Sequence, residues 1–182
     1  MRLLAVFLFA LAACSPGGEP VSDSAPAAEA PPAPAAKVEV VDLAGLEAAL
    51  EARKGRGYLL NVWAIWCAPC VAELPELVET AHAWRERGGD VVTVNYDLML
   101  PDVSADEVRA QVREFVDARG WDLDVYVFDG LDYEGINARF DLPGPVPVTL
   151  ALDAQGRIVD RAEGQATAER FDELMRAALG LD

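Results

Sequence analysis

The feature that most constrains the fold is an apolar run from Tyr58 to Ile65, followed at once by the pentapeptide Trp66-Cys67-Ala68-Pro69-Cys70. A nearly uninterrupted apolar run is typical of a strand that is buried on both faces of a sheet. Proline suits the first turn of a helix, because the N–H that it lacks would be unpaired there anyway. The sequence therefore predicts a buried strand that leads into a helix, with two cysteines at the junction.

Strand and helix patterns alternate along the rest of the chain from Val38. Ser104 and Glu107 have the spacing of a capping box, and Asp42 and Thr167 are candidate caps of two further helices. The predicted strands are 38–41, 58–65, 91–96, 125–128, 148–152 and 157–163, with helices between most of them and one after the last. Strands separated by helices and closed by a hairpin predict an α/β fold, a three-layer α/β/α sandwich with a mixed central sheet.

The first residues have the anatomy of a targeting signal, with Arg2 before an apolar run and then Leu11-Ala12-Ala13-Cys14. These four residues resemble a bacterial lipobox, so residues 1–13 are predicted to be a lipoprotein signal peptide and Cys14 the lipidation site. An ordinary secretory peptide cut nearby, or an uncleaved anchor, is the alternative. Ser15 follows the cysteine, where aspartate would resemble an inner-membrane retention signal, and this favours outer-membrane attachment.

Residues 14–37 are rich in proline and alanine and are predicted to be a linker, because they hold too few large apolar residues to build a core. Residues 38–182 then form one predicted domain. The formal net charge of -16 argues against a nucleic-acid partner, which would require cations to neutralise phosphates.

The two cysteines at the junction carry the predicted chemistry. Cys67 lies where the unpaired N–H groups and the dipole of a helix stabilise a thiolate, so it is the predicted attacking group. Cys70, one turn into the helix, would resolve the mixed disulfide. A structural disulfide or half of a metal site is the alternative, but His82 is the single histidine of the chain and no second cysteine pair completes four ligands. No metal and no cofactor are predicted, since the chain also lacks the Gly-x-Gly-x-x-Gly of nucleotide-binding enzymes.

The run Leu60-Asn61-Val62-Trp63-Ala64-Ile65-Trp66-Cys67-Ala68-Pro69-Cys70 with Glu73-Leu74-Pro75 resembles the thioredoxin superfamily. Within it, the chain is most similar to membrane-tethered extracytoplasmic reductases of the TlpA/ResA type. The resemblance extends from about Val38 to the C-terminus and implies a thioredoxin-like fold, with 104–140 as the strand-and-helix insertion of that family.

The resemblance also assigns roles to single residues. Asn61 stands where cytoplasmic thioredoxins place a buried aspartate, and Glu73 matches the glutamate that shuttles protons in extracytoplasmic relatives. Of three neighbouring prolines, Pro147 directly precedes a predicted strand and is the expected cis-proline, which would leave the backbone of Val146 free to pair with an extended substrate. Trp66, Ala68 and Pro69 are expected to complete the substrate-binding surface.

These features predict a lipid-anchored thiol-disulfide oxidoreductase on the periplasmic side of a bacterial membrane. The resemblance favours a monomeric reductase of protein disulfides, for example in cytochrome c or copper-site assembly, that receives electrons from a membrane thiol-disulfide relay. An oxidase or isomerase stays open, because the reduction potential and not the motif sets direction. A copper- or heme-assembly binding module that uses both cysteines without turnover also stays open, as does a structural lipoprotein whose disulfide is inert.

Overall fold

A computed structural model describes residues 36–130 and 133–181 of the chain. The predicted signal peptide, Cys14 and most of the predicted linker lie outside the described residues. The strands are β1 (Val38–Val41), β2 (Tyr58–Trp63), β3 (Asp90–Asn95), β4 (Asp124–Phe128), β5 (Val148–Leu152) and β6 (Ile158–Glu163). The helices are α1 (Leu43–Glu51), α2 (Ala68–Arg85), α3 (Ala105–Asp117), α4 (Tyr133–Phe140) and α5 (Ala168–Leu179), with a short 3₁₀ helix at Asp97–Met99.

The six strands form one mixed sheet in the order β1-β4-β3-β2-β5-β6. The first four strands in this order are parallel, and β5 and β6 run antiparallel to their neighbours. All six residues of β2 are buried, as its apolar sequence predicts for a central strand. Because β2, β3 and β4 are parallel, their carboxyl ends meet at one edge of the sheet.

Alternation along β2 shows which helices cover one face of the sheet. Asn61 hydrogen-bonds Glu73 of α2, and the ring of Trp63 lies 5.7 Å from that of Phe115 in α3, so both helices lie on the face of these two side chains. Helix α5 packs against α2 on the same face.

The opposite face carries α1 and α4. Tyr58, whose side chain alternates with those of Asn61 and Trp63, lines a surface pocket with Leu50 of α1 and Phe140 of α4. The predicted three-layer α/β/α architecture is therefore confirmed.

Side-chain caps explain where several helices begin. Asp42 and Thr167 each accept a hydrogen bond from a backbone N–H in the first turn of α1 and α5, and Ser104 and Glu107 form both bonds of the predicted capping box of α3. Each cap pairs an N–H that the helix itself leaves without a partner. These local contacts are the reason that the helix starts were readable from sequence.

Packing begins just before β1. Ala36 is buried in the core, and the Lys37 carbonyl accepts a hydrogen bond from Val125. The range 104–140, predicted as an insertion, contains α3, β4 and α4, and β4 lies between β1 and β3. None of the helices in the described part of the chain is long and apolar enough to cross a membrane.

Candidate active site

The junction between β2 and α2 lies at the carboxyl edge of the parallel strands. The apolar run was predicted to remain extended to Ile65, but β2 ends at Trp63. The Ile65 N–H donates a hydrogen bond to the carboxylate of Asp97 rather than to a neighbouring strand. The Cys67 N–H donates to the carbonyl of Ala64 at 3.2 Å, which closes a turn. This turn brings Cys67 to the start of α2.

Cys67 and Cys70 form a disulfide at the N-terminus of α2. Cys67 is the N-cap residue, and the Cys70 N–H points to its Sγ at 3.2 Å. Cys67 is 6% exposed, whereas Cys70 is fully buried. In the reduced protein this N–H and the helix dipole would stabilise a thiolate on Cys67, so the less buried of the two cysteines is also the better nucleophile.

The segment before β5 faces this disulfide. Val62 of β2 is paired with Val148 of β5, which brings the preceding residues to the carboxyl end of β2. The Val146–Pro147 peptide bond is cis, and the Val146 carbonyl oxygen lies 3.7 Å from Cys67 Sγ. That contact is no hydrogen bond in the disulfide, where the sulfur carries no proton, but a thiol would be placed to donate one.

The backbone of Val146 is free to pair with another chain. The Pro147 carbonyl accepts a hydrogen bond from Gly164, so the antiparallel ladder continues as far as Pro147. In the part of the chain that the structure describes, neither polar backbone group of Val146 pairs with another backbone group. An extended polypeptide could therefore add to this position as a short strand.

Exposed side chains surround the one accessible sulfur. Trp66 is 48% exposed although it is a large apolar residue, and Ala68 and Pro69 are exposed as well. These residues and the half-buried Val146 form an apolar surface beside Cys67, which we call the contact surface. Pro147, which was also expected there, is buried. The composition of the contact surface suits a polypeptide whose cysteine must approach within bonding distance.

Glu73 is a buried carboxylate one turn beyond Cys70, and it is 1% exposed. Its Oε1 accepts a hydrogen bond from Asn61 Nδ2 at 2.8 Å, and its Oε2 accepts one from the Ala166 N–H at 2.8 Å. Asn61 Nδ2 also donates to Thr149 Oγ1 at 2.9 Å. The network fixes the position of a titratable group one helical turn after Cys70.

Burial raises the pKa of Glu73 from its ordinary 4.5 to about 7, even though the hydrogen bonds from Ala166 and Asn61 favour the charged form. Desolvation outweighs both donors because the carboxylate has lost nearly all contact with water. A carboxyl group with a pKa near neutrality can both accept and release a proton at physiological pH.

The one histidine of the chain, His82, pairs with a carboxylate. His82 Nε2 lies 2.6 Å from Oδ1 of Asp122, and Arg85 pairs with the other oxygen of the same carboxylate. Burial opposes ionisation of Asp122, but these two partners hold its pKa below the ordinary value. Among residues 36–130 and 133–181, no group of three or more potential ligands is placed to hold a metal ion.

Three polar groups of the site were not anticipated from sequence. Asp97 hydrogen-bonds Ile65, which is 32 residues away in the sequence. Thr149 hydrogen-bonds Asn61 over a separation of 88 residues, and the Ala166 amide hydrogen-bonds Glu73 over 93. Each pairing depends on how the sheet brings distant segments together. The sequence signal for a role of Asp97 is that a carboxylate directly follows an apolar predicted strand.

A dithiol at the start of a helix that follows the central strand of a mixed sheet, opposite a cis-proline, defines a thioredoxin-like thiol-disulfide oxidoreductase. The chain belongs to the AhpC/TSA family, whose family model matches residues 21–163. The enzyme class predicted from the sequence is thereby confirmed.

Named relatives agree with this class. The chain is 29% identical over 133 residues to the thiol-disulfide oxidoreductase ResA of Bacillus anthracis, which covers 73% of this chain and 69% of that protein. It is 33% identical over 131 residues to the thioredoxin-like protein YneN of Bacillus subtilis, with 72% and 70% covered. A thiol:disulfide interchange protein from Chlorobium tepidum shares the fold, with a TM-score of 0.58, 22% identity and coverage of 70% of this chain and 83% of that one.

Proposed function

We propose that the chain is a membrane-tethered reductase of extracytoplasmic protein disulfides. The observation that carries the proposal is that Cys67 is the one accessible sulfur of the pair, 3.7 Å from a backbone carbonyl that is free to align a substrate strand. The resemblance to TlpA/ResA-type reductases supports the reducing direction. Cytochrome c or copper-site assembly are the substrate settings that this resemblance favours.

The reaction exchanges two electrons through two displacements. The Cys67 thiolate attacks one sulfur of the substrate disulfide, a mixed disulfide forms, and the other substrate sulfur leaves as a thiolate that takes up a proton. Cys70 then loses its proton to Glu73 and attacks Cys67 Sγ. The second substrate thiol is released, and the Cys67–Cys70 disulfide is restored.

The contact surface binds the substrate before the first displacement. Trp66, Ala68 and Pro69 supply apolar contact on the helix side. On the other side Val146 supplies the free backbone groups, and the cis-Pro147 positions them. Pairing through the backbone holds an extended segment without requiring a particular side chain. We therefore expect the monomeric enzyme to accept protein disulfides in flexible or unfolded segments.

The reduction potential tests the direction of the reaction. Trp66 adjoins the dithiol, so tryptophan emission of the purified full chain in thiol-disulfide buffers reports the equilibrium. A value near the thioredoxin range of about -270 mV is expected of a reductase fed by a membrane relay, and one near about -120 mV would make the protein an oxidant. No redox-linked change, checked by thiol alkylation, together with tight Cu(I) binding would favour a metal-binding module instead.

The proposed anchor is a lipid on Cys14, which would hold the enzyme on the periplasmic side, at the outer membrane. We expect a bacterial cell that expresses the full chain to incorporate labelled palmitate into it. The Cys14→Ser variant should lose the label and leave the membrane fraction. Labelling that persists in this variant, or its absence from the unaltered chain, would contradict the anchor without affecting the redox chemistry.

A further inference from the structure

Asp97 is a buried carboxylate that contacts the loop before Cys67. It begins the 3₁₀ helix after β3 and is 3% exposed. Both of its carboxylate oxygens lie 3.1 Å from the Ile65 nitrogen, whose N–H donates to them. The Ile65 amide, two residues after the end of β2, is therefore held by a side chain from the segment that follows β3.

Asn95 holds this carboxylate in place. Its Nδ2 donates to Oδ2 of Asp97 at 2.5 Å, and the Asp97 N–H donates back to the Asn95 side-chain oxygen at 3.0 Å. Both oxygens of Asp97 therefore accept hydrogen bonds from nitrogen donors. Among residues 36–130 and 133–181, no cationic side chain forms an ion pair with it.

The loop that Asp97 holds determines where Cys67 lies. The Tyr96 N–H donates to the Trp63 carbonyl at 2.8 Å, so the segment that follows β3 contacts the last residue of β2 as well as the loop after it. Only Trp66 separates Ile65 from Cys67. A shift of the Ile65 amide would move the cysteine relative to the helix N-terminus and to the Val146 carbonyl.

Asp97 contacts the chain two residues before the same cysteine, so a negative charge on its carboxylate is expected to act on that cysteine. A negative charge held out of water raises the free energy of a thiolate nearby, because charges attract and repel more strongly where solvent does not screen them. The helix N-terminus has the opposite effect. Burial and the charges of the exposed Asp129 and of Asp97 raise the pKa of Tyr133 to about 12, so this phenol is neutral.

We propose that Asp97 is a positioning residue for thiol-disulfide exchange, which fixes the Ile65 amide and thereby Cys67, and whose charge makes the dithiol more reducing. The proposal rests on Cys67 being the nucleophile of the proposed function. On this proposal, the reduction potential of the dithiol depends in part on a residue that belongs neither to the Cys-x-x-Cys motif nor to the cis-proline segment.

The test compares Asp97→Asn, which removes the charge and keeps one acceptor for Ile65, with Asp97→Ala, which removes both. Asp129→Asn is the matched control, because it removes an exposed charge at the same edge of the sheet. In Asp97→Asn we expect the pKa of the Cys67 thiol, read from the pH dependence of alkylation, to fall by about 0.5–1. The equilibrium constant with glutathione should move about three- to tenfold toward the reduced protein. In Asp97→Ala the rate of thiol-disulfide exchange should fall below that of Asp97→Asn, because no side chain holds the loop before Cys67.

A measurement on the unaltered protein keeps the proposal testable if either variant fails to fold. The Ile65 amide should exchange with solvent slowly in both redox states, and rapid exchange would overturn the positioning role. Unchanged thiol pKa and glutathione equilibrium in Asp97→Asn, or equal shifts in Asp129→Asn, would overturn the electrostatic role. Failure of the enzyme to reduce any protein disulfide would contradict the proposed function and would leave these readouts interpretable.

Discussion

Replacing Cys67 by serine is expected to lower the rate of protein-disulfide reduction by about 10³-fold or more, the scale of losing a covalent nucleophile. A serine hydroxyl does not ionise near neutral pH, and the remaining thiol of Cys70 is fully buried. The assay follows the turbidity of insulin as dithiothreitol reduces it through the enzyme. Activity that survives in Cys67→Ser would show that the attacking group lies elsewhere.

The companion variant Cys70→Ser should block the reaction one step later. Cys67 can still attack, but no second thiol is present to release it, so a stable one-to-one mixed disulfide with the substrate should accumulate and be visible in non-reducing electrophoresis. Cys14→Ser is the matched control, since it removes the one other cysteine of the chain and should leave turnover unchanged. Mixed disulfides at Cys14 alone would contradict the assignment.

Replacing Glu73 by glutamine is expected to change how stability depends on pH. Because the pKa of Glu73 is raised from 4.5 to about 7 in the folded protein, the native state retains a proton that the unfolded chain has lost between these values. The contribution of Glu73 to the free energy of unfolding is therefore fully present below about pH 4.5 and is lost as the pH rises through about 7. The loss amounts to about 3 kcal/mol, because a tenfold change in an ionisation constant corresponds to about 1.36 kcal/mol.

Glu73→Gln should remove this dependence and be more stable than the natural protein at pH 8, by at most that amount. The glutamine amide can be accommodated, because Asn61 Oδ1 is a buried acceptor with no hydrogen-bond partner among the described residues and can face the new N–H₂ after a flip. Urea unfolding at pH 5 and pH 8 measures the difference. Glu79→Gln, at an exposed position of the same helix, should leave the pH profile as it is.

The same substitution should slow the enzyme if Glu73 shuttles the proton of Cys70. We expect about a 100-fold loss in the step that resolves the mixed disulfide, which is the lower range for general acid-base catalysis. The inflection of the natural rate profile near pH 7 should vanish with it, and Glu73→Asp should restore part of the rate. A gain in stability at pH 8 without any change in turnover would make Glu73 a structural residue only.

The fold was predictable because its signals are local. The apolar run of β2 needs no partner to be recognised, and Asp42, Ser104 and Thr167 cap helices through N–H groups three residues away. The end of β2 was misplaced by two residues because the competing hydrogen bond comes from Asp97, which local sequence does not bring near.

The site was predictable where the motif itself carries the chemistry. Cys67, Cys70 and Glu73 lie within one stretch of chain, and Pro147 could be selected because it directly precedes a strand. The environment of Glu73 was only partly predictable: burial was expected, but its donor from Ala166 arrives from a segment 93 positions away. Long-range partners of this kind arise from sheet order, which alternation of strands and helices does not specify.

Of the two cysteines of the dithiol, only Cys67 retains exposed surface, so every protein that exchanges electrons with the dithiol would have to bind at the same place. The protein that reduces the Cys67–Cys70 disulfide must then bind at the same site as the substrate that is afterwards reduced, so the two proteins must bind in turn. Steady-state kinetics should then be ping-pong, with a surplus of either partner inhibiting competitively against the other. Dissociation of each partner would then be a necessary step of every catalytic cycle.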